Sequence, residues 1–358
     1  MEQNPIQPVN PETMSYKVKR TCLTFSMLLI SLLIWRPVFS QFDFGQLDQL
    51  FKQNQKILGN YAALIYKDGK IVYQKQGNTD FTIKSPALIA NAGNWLTAAL
   101  VMTFVDEGKI SLDDKVSNYI PIFKTYSKSY ITIRNCLTNT TGIQANTKIL
   151  EKSKYESLED EVNAYASKRD IVTNPSTEFY YSNLGPNIAA RVLEDITKKG
   201  FDRLMKERIL SPLKMRGTSF TNEDGGATNP SGGARSTAND YINFLVMLLN
   251  KGTLGDKKIL SPAAVEELEK VQYVSLPVKF SPKAEQGLHY ALGAWILEAD
   301  GTGNSQSLGC PNLAGTAPFL DKCRNYAAIL IVEKPQEDQK KELFLSMKNI
   351  IDQQIPCK

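Results

Sequence analysis

Two asparagines, Asn91 and Asn94, open a strongly apolar segment that ends near Gly108. Apolar residues recur in it at helical spacing and predict a buried helix: Leu96, Ala99, Leu100, Phe104 and Val105. The start of such a helix favours an anion, because the helix dipole is positive there. A carboxamide, however, has no usable nucleophilic oxygen and no basic amine near neutral pH. The segment therefore predicts a binding position without a nucleophile at either asparagine.

Few other residues in the sequence are candidates for a nucleophile, a base or a metal ligand. The single histidine, His289, would have to serve any Ser-His-Asp triad, and a structural role is favoured for it. A literal Ser-x-x-Lys sequence, Ser211 to Lys214, has a proline after the serine, which suits a loop or a first helical turn better than a nucleophile. No C-x-x-C pair occurs among the five cysteines. We therefore expect no metal and no cofactor.

The composition is that of a globular protein, with 42% hydrophobic and 22% charged residues. A formal net charge of +5 without a Lys/Arg run argues against nucleic acid as a partner. The 358 residues are enough for one large domain or two lobes with a sizeable core.

The first 40 residues predict a signal peptide or an N-terminal membrane anchor. Residues 22–35 form an apolar run behind a polar, basic leader, and residues 38–40 suit cleavage before Gln41. We therefore expect an exported protein, periplasmic or secreted. The alternative is anchoring by residues 22–35, and membrane contact is expected only through this segment if it is not cleaved.

Hydrophobic periodicity predicts strands at both ends of the chain and helices between them. A hairpin with an Asp-Gly turn is predicted over residues 61–75. Further strands are predicted at 288–298, 313–320 and 326–332. Helices are predicted at 46–58, 95–106, 158–168, 187–198, 201–209, 238–250 and 342–354, with a short one opening at 131–134. This order predicts an α/β fold whose sheet is built from both chain ends, with a helical lobe inserted.

Five segments follow one another in a recognisable order: residues 59–73, 95–99, 108–121, 131–143 and 232–240. Together they resemble the serine β-lactamase and penicillin-binding protein superfamily, in its class C-related branch of esterases and D-aminopeptidases. The resemblance implies a β-lactamase/transpeptidase-like α/β (α+β) fold with an antiparallel sheet and flanking helices. It implies one domain at 41–358, with a sheet lobe at about 55–85 and 288–358 and a helical lobe at about 86–287.

The chemistry of that family uses a Ser-x-x-Lys motif at the start of the buried helix and a Lys- or His-x-Gly motif on an edge strand. By the resemblance, the first motif falls on Asn91 and Asn94, so that both reactive side chains are replaced. The strand motif falls on Cys310 and Asn312, which lack the cation or histidine and the glycine. The resemblance therefore implies that the catalytic residues are lost together.

A third motif of the family, Tyr-x-Asn, is retained as Tyr181 and Asn183. Family members often carry histidine at the positions of Asn135 and Asn139, so asparagine recurs where histidine is usual. Tyr181 is interpreted as a binding or scaffold residue, because no serine or lysine is left for it to serve.

The resemblance, taken with these losses, implies a catalytically inactive member of the family. Loss of the nucleophile alone removes on the order of 10⁶ in kcat from a hydrolase of this type. We expect the protein to bind a small peptide, acyl or muropeptide ligand, or to act as a scaffold, and the expected ligand-binding residues are Asn91, Asn94, Tyr181, Asn183 and Leu313. Two alternatives stay open: a slow or non-standard hydrolase using Tyr181, Cys310 or an activated water in the same cleft, and a purely structural envelope protein.

Cys310 has two interpretations, a surrogate nucleophile or one half of a disulfide with Cys323. The disulfide is favoured, because cysteines of exported proteins tend to pair. The two residues also flank a segment resembling a hairpin, which would place them on adjacent strands. Cys136 is interpreted as a core residue, and Cys357 is left unassigned.

Overall fold

A computed structural model describes residues 42–145, 155–220, 225–311, 315–334 and 341–357. Residues Asp43–Lys358 form one compact unit. The predicted leader, Asn312 and Leu313 lie outside the described residues. Within those residues, no helix combines the length and hydropathy that a membrane span requires.

The elements alternate between short strands and helices, with the longest helix near the N-terminal side. In chain order they are α1 Gly45–Gln53, α2 Gln55–Leu58, β1 Tyr61–Lys67, β2 Lys70–Gln76, β3 Ala87–Leu88, α3 Ala92–Asp106, α4 Ile122–Thr125, α5 Ile133–Leu137, α6 Leu158–Lys168, β4 Phe179–Tyr180, α7 Leu184–Thr197, α8 Phe201–Met205, β5 Arg235–Ser236, α9 Ala238–Leu249, β6 Thr253–Leu254, β7 Lys257–Lys258, α10 Pro262–Glu269, β8 Val278–Phe280, β9 His289–Tyr290, β10 Trp295–Ala299, β11 Ser305–Gly309, β12 Ala317–Asp321, β13 Tyr326–Val332 and α11 Lys341–Gln354. Short 3₁₀ turns lie at Val116–Asn118 and Lys283–Glu285, and a π-helical turn follows α8 at Lys206–Leu210.

Strands from both ends of the chain form a seven-stranded antiparallel sheet within the described residues. Its spatial order is β2, β1, β13, β12, β11, β10 and β9. Strand β13 pairs with β1 on one side and β12 on the other, and all seven of its residues are buried. The predicted antiparallel sheet, built from both chain ends and flanked by helices, is confirmed.

Helix α3 is the buried helix predicted from the apolar segment. Every residue from Ala92 to Phe104 is buried, as expected for a helix that is apolar all round. The helix ends where Gly108 adopts a left-handed conformation, with a φ of +67°. Its first turn, which follows Asn91 and contains Asn94, therefore lies inside the protein.

One predicted strand, at residues 288–298, is two strands in the structure. Strand β9 ends at Tyr290 and β10 begins at Trp295, because a turn around Gly293 separates them. Gly293 has a φ of +80°, and a Cβ there would lie 2.5 Å from the backbone oxygen of Asn94. Only glycine allows the turn to pass this close to helix α3.

The predicted Cys310–Cys323 disulfide is wrong, since Cys323 is bonded to Cys357 at a Cα separation of 5.1 Å. The Cys310 N–H donates to Pro318 at the start of β12, whereas Cys323 lies beyond the other end of that strand. The length of β12, roughly 10 Å or more, exceeds what a disulfide can bridge. Cys310 is a free, buried thiol, and Cys136 is buried in the core as predicted.

Removing the disulfide should lower stability markedly. It closes a loop with a sequence separation of 34 residues, and the loss of that constraint on the unfolded chain is worth about 2–4 kcal/mol. We expect the double variant Cys323→Ala/Cys357→Ala to lose this amount in urea unfolding. Dithiothreitol should produce the same loss in the unsubstituted chain and none in the double variant. An equal response of both proteins to dithiothreitol would contradict the pairing.

Candidate functional site

The first turn of helix α3 begins after a strained residue. Ala90 adopts a φ of +42°, a conformation that costs a residue other than glycine about 1–2 kcal/mol. The N–H groups of Ala92, Gly93 and Asn94 donate to the carbonyls of Ile89, Ala90 and Asn91, respectively. These three N–H groups are hydrogen-bonded within the protein, so they are not available to an anion at the start of the helix.

The Asn91 side chain points into the protein rather than capping the helix. It makes no side-chain cap, and its Nδ2 donates to Oε1 of Glu285 at 3.4 Å. Asn91 is 5% exposed and Glu285 is fully buried. The position implied for the nucleophile therefore holds an amide in contact with a buried carboxyl group.

The Asn94 side chain bonds to the retained tyrosine. Its Nδ2 donates to the Tyr181 hydroxyl oxygen at 2.8 Å, and both residues are 1% exposed. The Oδ1 atom of Asn94 is buried and has no hydrogen-bond partner among the described residues. Such an unpaired buried acceptor costs about 1–3 kcal/mol, so this atom does not stabilise the fold.

Glu285 is the site residue that the sequence did not indicate. It lies in the 3₁₀ turn Lys283–Glu285 and reaches Asn91 across 194 residues of chain. Its neighbours Lys283 and Gln286 are polar, and a glutamate in such a segment is usually exposed. No pattern in the sequence signals its burial.

Burial keeps the phenol and the thiol of the site protonated. The pKa of Tyr181 is raised well above its usual value by burial and then by Glu285 and Cys310, while hydrogen bonds from Asn91 and Asn94 oppose the rise. The pKa of the Cys310 thiol is raised chiefly by burial and further by Glu285. A thiolate is the reactive form of cysteine, so Cys310 is a poor nucleophile here.

The loop that carries Tyr181 is held by two asparagines. The Asn139 backbone oxygen accepts from the Tyr180 N–H, and its Oδ1 accepts from the Ser182 N–H at 3.1 Å. Asn135 is the third residue of helix α5, where its Oδ1 accepts from the N–H of the N-cap residue Thr132, and its Nδ2 donates to Ser176 Oγ at 2.7 Å. Both positions where the family often has histidine are therefore occupied by residues that support the loop.

Aromatic side chains pack around the ring of Tyr181. The ring centroid of Trp295 is 5.3 Å from that of Tyr181, and Tyr290 is 4.7 Å from Trp295 in a T-shaped contact. Phe179 lies 5.7 Å from Trp295. Asn183 begins helix α7 with a half-buried side chain and makes no side-chain cap there.

The other residues considered from the sequence lie in ordinary structural settings. Ser211 and Lys214 are exposed residues of one turn, in which the Lys214 N–H donates to the Ser211 carbonyl. His289 is exposed on strand β9, where it pairs with Ile296 of β10. The described contacts of these residues do not include Asn91, Asn94 or Tyr181.

One carboxylate cluster has the spacing of a metal site, but cations of the protein occupy it. Candidate ligand atoms of Glu298, Asp321 and Asp352 lie within 4.8 Å of one another. Lys348 Nζ lies 2.7 Å from Glu298 and from Asp352, and Arg324 pairs with all three carboxylates. The cluster is therefore an ion-pair network that joins helix α11 to the sheet.

The comparisons with known proteins agree with the fold. A family model described as Beta-lactamase matches residues 47–345. A putative beta-lactamase from Bacteroides dorei DSM 17855 has a TM-score of 0.78 at 29% identity, covering 87% of this chain and 98% of that one. EstCE1, described as a hydrolase with promiscuous acyltransferase activity, has a TM-score of 0.71 at 17% identity over 86% of this chain and 97% of that one, and shows similarity of fold alone.

Among curated proteins, teichoic acid D-alanine hydrolase of Staphylococcus aureus is 30% identical over 179 residues. The match covers 48% of this chain and 44% of the relative. The chain therefore spans less than half the length of that relative.

Proposed function

The chain belongs to the beta-lactamase family, and from that premise we propose that it is a catalytically inactive member that binds a ligand without turning it over. One observation carries the proposal. Asn91 and Asn94, which the resemblance assigns to the nucleophile and base positions, are both buried in contacts with Glu285 and Tyr181.

The chemistry of the remaining groups supports inactivity. Tyr181 and Cys310 keep their protons at neutral pH because burial raises the pKa of each. Neither is more than 1% exposed, so a substrate carbonyl does not reach them in this conformation. A hydrolase without its nucleophile loses on the order of 10⁶ in kcat.

The proposed ligand is a peptide, acyl or cell-wall-derived molecule. The name of the Staphylococcus aureus relative describes a hydrolase of teichoic acid D-alanine, and we carry over to this chain only the class of an acylated or D-alanyl molecule. Export, by way of the segment at residues 1–40, belongs to the same proposal.

A slow hydrolase is the second candidate, and Glu285 is the observation in its favour. A buried carboxylate 3.4 Å from Asn91 is a general base for a water molecule, if water enters the site. The full burial of Glu285 opposes this, because its side chain has no surface exposed to solvent.

The inactive protein and the slow hydrolase differ in whether a substrate is hydrolysed and in whether that hydrolysis depends on Glu285. The purified chain is incubated with nitrocefin, p-nitrophenyl acetate and a D-alanyl ester, beside the isosteric variant Glu285→Gln. We expect both proteins to match the spontaneous hydrolysis rate for every substrate. Turnover above background that disappears in Glu285→Gln would establish the hydrolase and overturn the proposal.

A further inference from the structure

A cavity of about 420 Å³ lies beside Trp295. Trp295 lines the cavity and also packs on Tyr181, so the two share this wall. The volume falls within the range of about 300–1,000 Å³ that is typical of small-molecule sites. The described lining residues are Phe179, Tyr273, Val274, Leu276, Val278, Lys279, Phe280, Ser281, Gln286, Gly287, Leu288, His289 and Trp295.

The interior of the cavity is aromatic. The parallel pairing of β4 with β8 brings Phe179 and Phe280 to the same place. The ring of Phe179 lies 5.1 Å from Tyr273 and 5.7 Å from Trp295. Such a lining gains free energy by taking apolar surface of a ligand out of water.

Tyr273 carries a polar group that lies beneath this lining. Its hydroxyl is buried and has no hydrogen-bond partner among the described residues, although Tyr hydroxyls in protein interiors usually have one. Burial raises the pKa of Tyr273, so the hydroxyl remains protonated. Because the hydroxyl itself has almost no accessible surface, Tyr273 contributes its ring to the cavity and not a polar contact.

The mouth of the cavity is apolar and positively charged. Val274 is 76% exposed and Val278 is 56% exposed, which is unusual for two valines at one opening. Lys279, between Val278 and Phe280, is exposed and makes no ion pair with the described residues. The described lining includes no Asp or Glu.

We infer that this cavity binds the acyl group of a carboxylate-bearing molecule, with the chain against Phe179, Phe280 and Trp295 and the carboxylate at Lys279. The inference rests on the proposed function, because it places the bound ligand beside the inactive centre instead of on Asn91. Trp295 then lies between the bound ligand and the inactive centre's Tyr181, because its side chain lines the cavity and packs on the Tyr181 ring.

The test uses sodium decanoate, with decylammonium as a probe of the same length and opposite charge. Isothermal titration of the full chain should give saturable one-to-one binding of decanoate and at least tenfold weaker binding of decylammonium. Lys279→Glu should weaken decanoate about tenfold and reverse the preference. Tyr273→Phe should change decanoate binding by less than about twofold, because the buried hydroxyl does not reach the ligand.

Matched exposed residues provide the controls. Val278→Asp places a negative charge at the mouth without touching the core and should weaken decanoate at least tenfold, whereas Val172→Asp, at an exposed valine outside the lining, should leave binding unchanged. Lys84→Glu is the corresponding control for Lys279→Glu. Absence of saturable binding, equal binding of the two probes, or indifference to Lys279→Glu and Val278→Asp would overturn the inference.

The outcome is separable from that of the proposed function. Ester turnover that depends on Glu285, together with decanoate binding that depends on Lys279, would reject the proposed inactivity and support the cavity as a binding site. Absence of turnover together with absence of decanoate binding would reject the cavity and keep inactivity.

Discussion

Asn94→Asp is expected to lower the free energy of unfolding by about 3–4 kcal/mol at pH 7. The substitution replaces the amide nitrogen by an oxygen and leaves the shape of the side chain nearly unchanged. It nevertheless introduces an acid at a position that is 1% exposed. Burial raises the pKa of that acid, and so does the neighbouring Glu285, whose charge already acts on Tyr181. Among the described residues, no Lys or Arg hydrogen-bonds to Asn94 or Tyr181 to offset the new charge.

The loss should depend on pH in a defined direction. An acid whose pKa is higher in the folded chain than in the unfolded chain holds its proton longer when folded. Stability is therefore complete below the unfolded pKa of about 4 and falls by up to about 1.4 kcal/mol per pH unit above it. Near pH 4 the variant should approach the unsubstituted chain, because the protonated acid can still donate to Tyr181.

Urea unfolding between pH 4 and pH 8 measures this dependence, with the unsubstituted chain measured at each pH. Asn118→Asp, at an exposed asparagine, is the matched control and should change stability by less than about 0.5 kcal/mol throughout. A loss that is small or independent of pH would mean that Asn94 lies in contact with water or a cation, contrary to the buried site.

Trp295→Ala is expected to cost about 3–5 kcal/mol, the usual loss when a fully buried aromatic side chain is truncated. Trp295 is 1% exposed and contacts the rings of Phe179, Tyr181 and Tyr290. The cavity left behind would remove the support of Tyr181 on one side. The hydroxyl of Tyr181 should then lose its fixed position against Asn94.

Denaturant unfolding together with near-UV circular dichroism tests this role. Trp295→Phe should recover most of the stability, since it keeps an aromatic ring in the cluster. Tyr130→Ala, at an aromatic residue that is 43% exposed, should have little effect. A loss below about 1 kcal/mol in Trp295→Ala would show that the cluster does not hold the site.

Local periodicity was sufficient to predict several elements at their observed bounds. Helix α6, Leu158–Lys168, and strand β13, Tyr326–Val332, have those bounds in the structure. The division of the predicted strand at 288–298 could not be foreseen in this way. It depends on Gly293 passing the backbone of Asn94, a contact between segments about 200 residues apart.

The same distinction applies to the site. Asn91, Asn94 and Tyr181 could be singled out because the resemblance implies a motif position for each, and the last two are hydrogen-bonded in the structure. Glu285 belongs to no such motif, and its burial follows from tertiary packing against Asn91.

The disulfide partner was missed for a similar reason. Cys323 is bonded to Cys357, which follows helix α11. The position of that helix in the fold brings the two cysteines together, and the spacing of cysteines along the chain does not indicate it.

The most direct test of inactivity is intact-mass analysis of the purified chain after incubation with a fluorescent penicillin and, separately, with a fluorophosphonate. A covalent adduct accumulates even when turnover is slow, so this measurement detects a nucleophile that steady-state assays miss. An active serine β-lactamase, treated in parallel, must be labelled. We predict an unmodified mass for this chain with both reagents. A stoichiometric adduct mapping to Tyr181, Cys310 or Glu285 would contradict the central claim.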